Sequence, residues 1–99
     1  KGALKMKIKI LQTNMDRDTN RIAFESYDGM MKHQGKFDIS IYDEVWSGEV
    51  QADDLEDVYT IFNVNHPEGY IGRSLSVSDL VKSEDGLYFC DSIGFRKVG

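Results

Sequence analysis

The sequence predicts an α+β domain: a mainly antiparallel sheet of about six to seven short strands, with one principal helix near 53–63. Three observations carry that expectation. Lys5 to Ile10 alternates polar and apolar residues without a fault, the period of a half-buried strand. Leu55, Val58, Tyr59 and Phe62 fall at i, i+3, i+4 and i+7, one apolar stripe of a helix. Leu80–Lys82 and Leu87–Cys90 flank Ser83-Glu84-Asp85-Gly86, a hairpin signal with Gly at the left-handed position.

Taken in order, Lys1 to Leu4 read as a tail of the kind an expression vector leaves, and the domain runs over 5–99. The first strand puts Met6, Ile8 and Ile10 on one face and the lysines in water, and such lysines suit a sheet edge. Asn14 to Asn20, rich in Asp and Asn, reads as a loop. Arg21 to Glu25 reads as a short second strand. Asp28 to Lys36, with two glycines and no clear period, reads as a loop with at most one helical turn. Ile39 and Ile41 alternate with Asp38, Ser40 and Tyr42 in a third strand. Val45 to Val50 is a fourth, with Asp43-Glu44 as the bend between them.

The helix follows, with Asp53 as N-cap and Glu56 as its capping-box partner. Acidic residues at 54, 56 and 57 suit the positive end of the helix dipole. The helix must stop before Pro67, whose predecessor is pushed out of the α region. Asn63 to Ser78 is then a loop hinged at Gly69 and Gly72. Gly94 to Val98 forms a short last strand.

Composition narrows the function classes. Ninety-nine residues make one domain, and area scaling gives roughly 5,700 Å² exposed against roughly 16,400 Å² unfolded. A single Cys excludes a disulfide framework and any Cys-built zinc site. Cys90, in an apolar run, reads as an inert buried thiol. No apolar run approaches the length of a membrane span, and no apolar leader stands near the start, so a cytoplasmic protein without membrane contact is expected. Twelve basic residues against 17 acidic ones, net −5, disfavour a general phosphate-binding surface.

The placement of charge is more informative than its sum. Four lysines lie in the first nine residues, and none follows Lys36 until Arg73 ends the gap. That gap holds Asp38, Asp43, Glu44, Glu49, Asp53, Asp54, Glu56, Asp57 and Glu68. Such a block either mimics nucleic acid, or docks a basic partner, or is a solvated surface with a favourably charged helix start.

Several residues could carry chemistry. His66, Ser74, Ser76, Ser78 and Asp79 contain the residue types of a Ser/His/Asp device. Gly72-Arg73-Ser74-Leu75-Ser76 lacks the second Gly of a nucleophile elbow, and serines here more often cap turns. Asp16-Arg17-Asp18-Thr19-Asn20 opens like a calcium loop but lacks its Gly and its downstream Glu. His33, His66 and Cys90 have no ligand spacing, so neither metal nor cofactor is expected. Gly69-Tyr70-Ile71-Gly72 with Arg73 is a weak match to a backbone clamp of KH type. Tyr70 and Arg73 suit a contact surface, with His66, Ser74 and Ser76 beside them; the opposing reading folds Tyr70 back over the helix end. Trp46 reads as core rather than ligand platform.

Leu55-Glu56-Asp57-Val58-Tyr59 through Phe62-Asn63, then His66-Pro67, then Gly72 to Asp79, resembles the YodL-like domain family. Tyr88 to Phe95 is similar to its closing segment. Asp16-Arg17-Asp18, Asn20-Arg21 and Phe24 are similar to its opening one. The resemblance covers nearly the whole chain after Leu4. It implies proteins carried on mobile elements of Gram-positive gut bacteria, sometimes as one module of a larger protein, and brings no catalytic residue. The expected function is therefore a non-catalytic interaction module for a protein or nucleic-acid complex. An acidic antirestriction or DNA-mimic protein is the alternative, and a small hydrolase using His66 with a nearby Ser or Asp is the second.

Overall fold

The computed structural model describes residues 4–99. The expected tail therefore falls outside the described residues except for Leu4, which is exposed. The elements are β1 (Lys5–Thr13), α1 (Tyr27–Gln34), a 3₁₀ turn at Ile39–Ile41, β2 (Tyr42–Gln51), α2 (Leu55–Val64), β3 (Leu80–Ser83), β4 (Gly86–Cys90) and β5 (Phe95–Lys97). The strands form one five-stranded sheet in the order β2-β1-β3-β4-β5, with every pairing antiparallel. The α+β class and the antiparallel sheet hold. Six to seven strands become five, and two helices replace one. The accessible surface is 6000 Å², close to the area expected for the mass.

The two faces of the sheet carry separate apolar clusters, because neighbouring residues on a strand point to opposite sides. Ile8, Ile10 and Val81 join Val58 and Phe62 of α2 on one face. Leu11, Leu80 and Phe89 join Met30 of α1, with Ile22, Ile41 and Tyr42, on the other. The sheet is thus the middle layer between two helices.

Most differences from expectation have a local cause. β1 is an interior strand rather than an edge, since β2 and β3 pair along its two sides. Alternation reports which face is wet, not which neighbours a strand has. Residues 21–25 form no strand. The Asp18 carboxylate accepts hydrogen bonds from the N–H groups of Ile22 and Ala23 (2.9 and 3.0 Å), taking donors that a ladder would need. Residues 27–34 form a full helix. Ser26 caps it by accepting from Gly29 N, and Gly35 ends it at φ +78°. Ile39 and Ile41 lie in the 3₁₀ turn capped by Asp38. Of the third strand expected over 38–42 only Tyr42 lies in a strand, and it continues through the expected bend at Asp43-Glu44 into the expected fourth strand as β2, whose register against β1 shifts between Ile10 and Leu11.

Helix α2 begins one residue later than expected. Asp54, not Asp53, is its N-cap, accepting from Asp57 N, while Asp57 Oδ2 accepts from the Asp53 N–H. Val58 and Phe62 are buried, whereas Tyr59 faces largely outward and Ile61 takes its place in the stripe. Trp46 packs edge-on against Phe62, with ring centroids 5.2 Å apart. The β3–β4 turn is Glu84-Asp85, and Gly86 opens β4 at φ +154° rather than in the left-handed turn position. Cys90 is buried, and burial with the nearby Asp79 pushes its thiol up to about 12.

Candidate interaction site

The site begins as an interruption in the β1 pattern. Met6, Ile8 and Ile10 face the α2 cluster, and the next residue on that face is Gln12, also buried. A buried amide requires partners, and Gln12 finds them in the long loop after α2. Its Nε2 donates to the Tyr70 hydroxyl (3.3 Å), the Arg73 carbonyl (2.9 Å) and Asp79 Oδ2 (3.1 Å). Its Oε1 accepts from the Arg73 N–H (3.2 Å). Gly72 permits this approach, since a Cβ there would stand 2.6 Å from the Tyr70 hydroxyl and 2.8 Å from Gln12 Oε1.

Asp79 is the charged centre of the cluster, and its side chain is fully buried. It accepts from Ser76 N (2.8 Å) and from one guanidinium nitrogen of Arg73 (2.9 Å), besides Gln12. Burial nevertheless dominates and raises its pKa to about 6, while the Ser76 N–H, Arg73 and Gln12 pull the other way. Ser78, also buried, stands at φ +83°, and its carbonyl accepts from the Tyr42 hydroxyl (2.5 Å). The loop is therefore nailed to the sheet from inside by Gln12, Asp79 and Tyr42.

Above this buried cluster the surface is of another kind. The Arg73 guanidinium carbon lies 5.0 Å from the centroid of the Phe24 ring, a cation–π arrangement. Phe24 is 61% exposed, although its backbone is held at φ +69°. A groove of about 800 Å³ adjoins the pair, lined also by Thr13, Met15, Arg21 and Ala23. Met15 is 91% exposed, and Arg21 stands at φ +54°. Asp16 and Asp18 line it too, so two large apolar side chains, two arginines and two aspartates share one open groove.

The YodL-like domain model matches residues 7–99, nearly the entire chain. The chain belongs to the YodL-like domain family. No curated protein and no solved structure matches it. In this YodL-like domain the three segments that carry the family resemblance meet in space. Phe24 N donates to Ser78 Oγ (2.8 Å), Arg73 covers Phe24, and Cys90 N donates to the Asp79 carbonyl (2.8 Å).

The residues expected to form a contact surface separate into two groups. Tyr70 is buried, its ring 5.0 Å from Phe62, and its hydroxyl donates to the Arg73 carbonyl (2.5 Å). It closes the end of α2 after a turn whose Gly69 stands at φ +85°. Of the two readings open for Tyr70, folding back is the one found. Arg73 reaches the surface, and His66 and Ser74 are exposed on the same loop. His66 lies against the Tyr70 ring (5.3 Å), and Ser76 Oγ donates to the Ser74 carbonyl (3.1 Å), as a turn serine does. Asp79 is engaged by Gln12, Ser76 and Arg73, so His66 and Asp79 are not joined as a relay. Among the described residues no group of three or more His, Cys, Asp or Glu is arranged around a metal position. Both Asp18 oxygens of the calcium-like stretch are used by backbone N–H groups.

Sequence reasoning missed Gln12, Met15 and the role of Phe24. Gln12 had a signal: a polar residue in phase with Met6, Ile8 and Ile10. Phe24 had none, because the period of two read it as part of a strand.

Proposed function

We propose that this YodL-like domain is a non-catalytic interaction module, acting in the cytoplasm, alone or as one unit of a larger protein of a mobile genetic element. Its contact surface is the groove beside Arg73 and Phe24, with the exposed Ser74 and His66 on the same loop. One observation carries the reading. Arg73 is anchored from inside by a buried carboxylate and stacked outside on an exposed aromatic, so a cation and an apolar face are presented together in fixed geometry. Interfaces draw their strongest contacts from residues of this kind.

The acidic block is less suited to nucleic-acid mimicry, because several of its carboxylates are engaged at home. Asp43 pairs with Arg17 (2.6 Å) and Glu44 with Lys9 (3.5 Å), while Asp54 and Asp57 cap α2. Among the described residues, no helix is long and apolar enough to cross a membrane.

The test is affinity capture from an extract of the source organism, comparing wild type with Phe24→Gly. Glycine accepts the left-handed backbone at 24, so the variant removes the ring without straining the chain. The module reading expects a specific partner that the variant no longer retains.

A further inference from the structure

We infer that Asp79 is a proton-operated latch beneath the Arg73–Phe24 surface: ionised, it holds the Arg73 guanidinium over Phe24, and protonated, it lets that side chain go. The latch belongs to the Arg73–Asp79 pair itself, while its use in regulating contact rests on the reading of this surface as an interaction site. The two oxygens of the carboxylate have different partners. Oδ2 accepts from Gln12 Nε2 (3.1 Å) and Ser76 N (2.8 Å), both fixed within the fold. Among the described residues, Oδ1 accepts from Arg73 Nη2 alone (2.9 Å). An incoming proton therefore goes to Oδ1, where it places a donor against the donating guanidinium. It also removes the charge that draws Arg73, which stays cationic throughout. The Arg73 side chain is 37% exposed and that of Asp79 0%, so water can take up the released guanidinium while the carboxyl stays dry. What remains to hold Arg73 outside is the Phe24 ring alone.

The surroundings leave the titration to this one group. Tyr70 from the same loop, Tyr42 from β2 and Cys90 from β4 all feel the Asp79 charge, and burial pushes all three upward, so they stay neutral at physiological pH. Asp18, whose charge also acts on Tyr42, has both oxygens bonded to backbone N–H groups. His66 lies against the Tyr70 ring and is the group the experiment must separate. Burial raises Asp79 to about 6 against the pull of Arg73, which brings the change into the physiological range. The folded chain binds this proton more tightly than the unfolded chain, so protonation strengthens the fold as it frees Arg73. The device is thus local and distinct from acid unfolding.

The test is an NMR titration of the whole chain across the physiological pH range, following the Asp79 carboxyl carbon, the Arg73 Nε–H and the Phe24 ring protons. All three should move with one midpoint, at about 6. Below it, the heteronuclear NOE of Arg73 Nε should fall from the value of a held side chain to that of a mobile one. Asp79→Asn carries no charge and should show the mobile value at every pH, whereas His66→Asn should keep the wild-type curve. An Arg73 NOE indifferent to the Asp79 midpoint, a transition that persists in Asp79→Asn, or one that vanishes in His66→Asn would each overturn the inference. Should Asp79→Asn not fold, the wild-type curves decide: a shared midpoint supports the latch and separate midpoints sink it. If the latch fails while Phe24→Gly still abolishes partner capture, the module reading stands without pH control. If the midpoint is shared and capture is indifferent to Phe24→Gly, the latch stands and the module reading falls.

Discussion

Phe24 and Ser78 both stand in left-handed backbone, at φ +69° and +83°, and the N–H of the first donates to the hydroxyl of the second at 2.8 Å. Two unfavourable conformations thus support each other across the molecule, one buried and one at the surface. Ser78→Ala would leave the Phe24 N–H without this acceptor and should destabilise the fold by about 1–2 kcal/mol, read as a lower denaturant midpoint. Phe24→Gly should leave the midpoint unchanged or raise it, because the strain at 24 disappears while the bond to Ser78 stays.

Gln12 is the larger structural commitment. Its amide makes four hydrogen bonds to Tyr70, Arg73 and Asp79. Gln12→Leu keeps the volume but strips these partners and should cost about 2–4 kcal/mol, since buried groups are then left unmatched. A loss near zero in urea unfolding would mean that the Gln12 bonds do not hold the 65–79 loop.

Asp79 gives a pH dependence with a definite sign. Burial raises its pKa from the ordinary 3.8 to about 6, so the folded chain binds this proton more tightly than the unfolded chain does. The stabilising contribution of the neutral form is fully present below about pH 4 and is lost as the pH rises through 6. The loss is of order 3 kcal/mol at most. Exposed carboxylates act in the opposite direction: Asp43 is held below its usual range by Arg17 and Asn14, and Asp38 by Ser40. The difference between wild type and Asp79→Asn therefore isolates the effect. Stability measured from pH 4 to 7 should fall more steeply for wild type than for the variant. Parallel curves would contradict the raised pKa.

Much of the fold is legible in the sequence because period and caps act locally. β1 and α2 follow from the spacing of Met6, Ile8 and Ile10 and of Val58 and Phe62, and the β3–β4 hairpin follows from its turn. Helix α1 was legible too, through Ser26 as N-cap and Gly35 after its last residue, but the glycine at 29 obscured it. The segment from Arg21 to Phe24 was not, since its shape is imposed by Asp18 and Ser78 from outside its own period. The site shows the same division. Arg73 stands out by residue type, whereas Gln12 and Phe24 acquire their roles only when loop, strand and sheet meet.

The cap of α2 offers a compact check on this local logic. Asp54→Ala should cost about 1 kcal/mol, because Asp54 accepts from Asp57 N at 2.9 Å and adds negative charge at the helix start. Thermal unfolding of the variant would register it as a drop of several degrees.

The central claim is that Phe24 is held at the surface to meet a partner. The measurement that addresses it most directly is the comparison of captured partner between wild type and Phe24→Gly, made beside their denaturant midpoints. The account predicts a midpoint equal to or above wild type together with loss of the captured partner. Undiminished capture by a folded Phe24→Gly protein would contradict it.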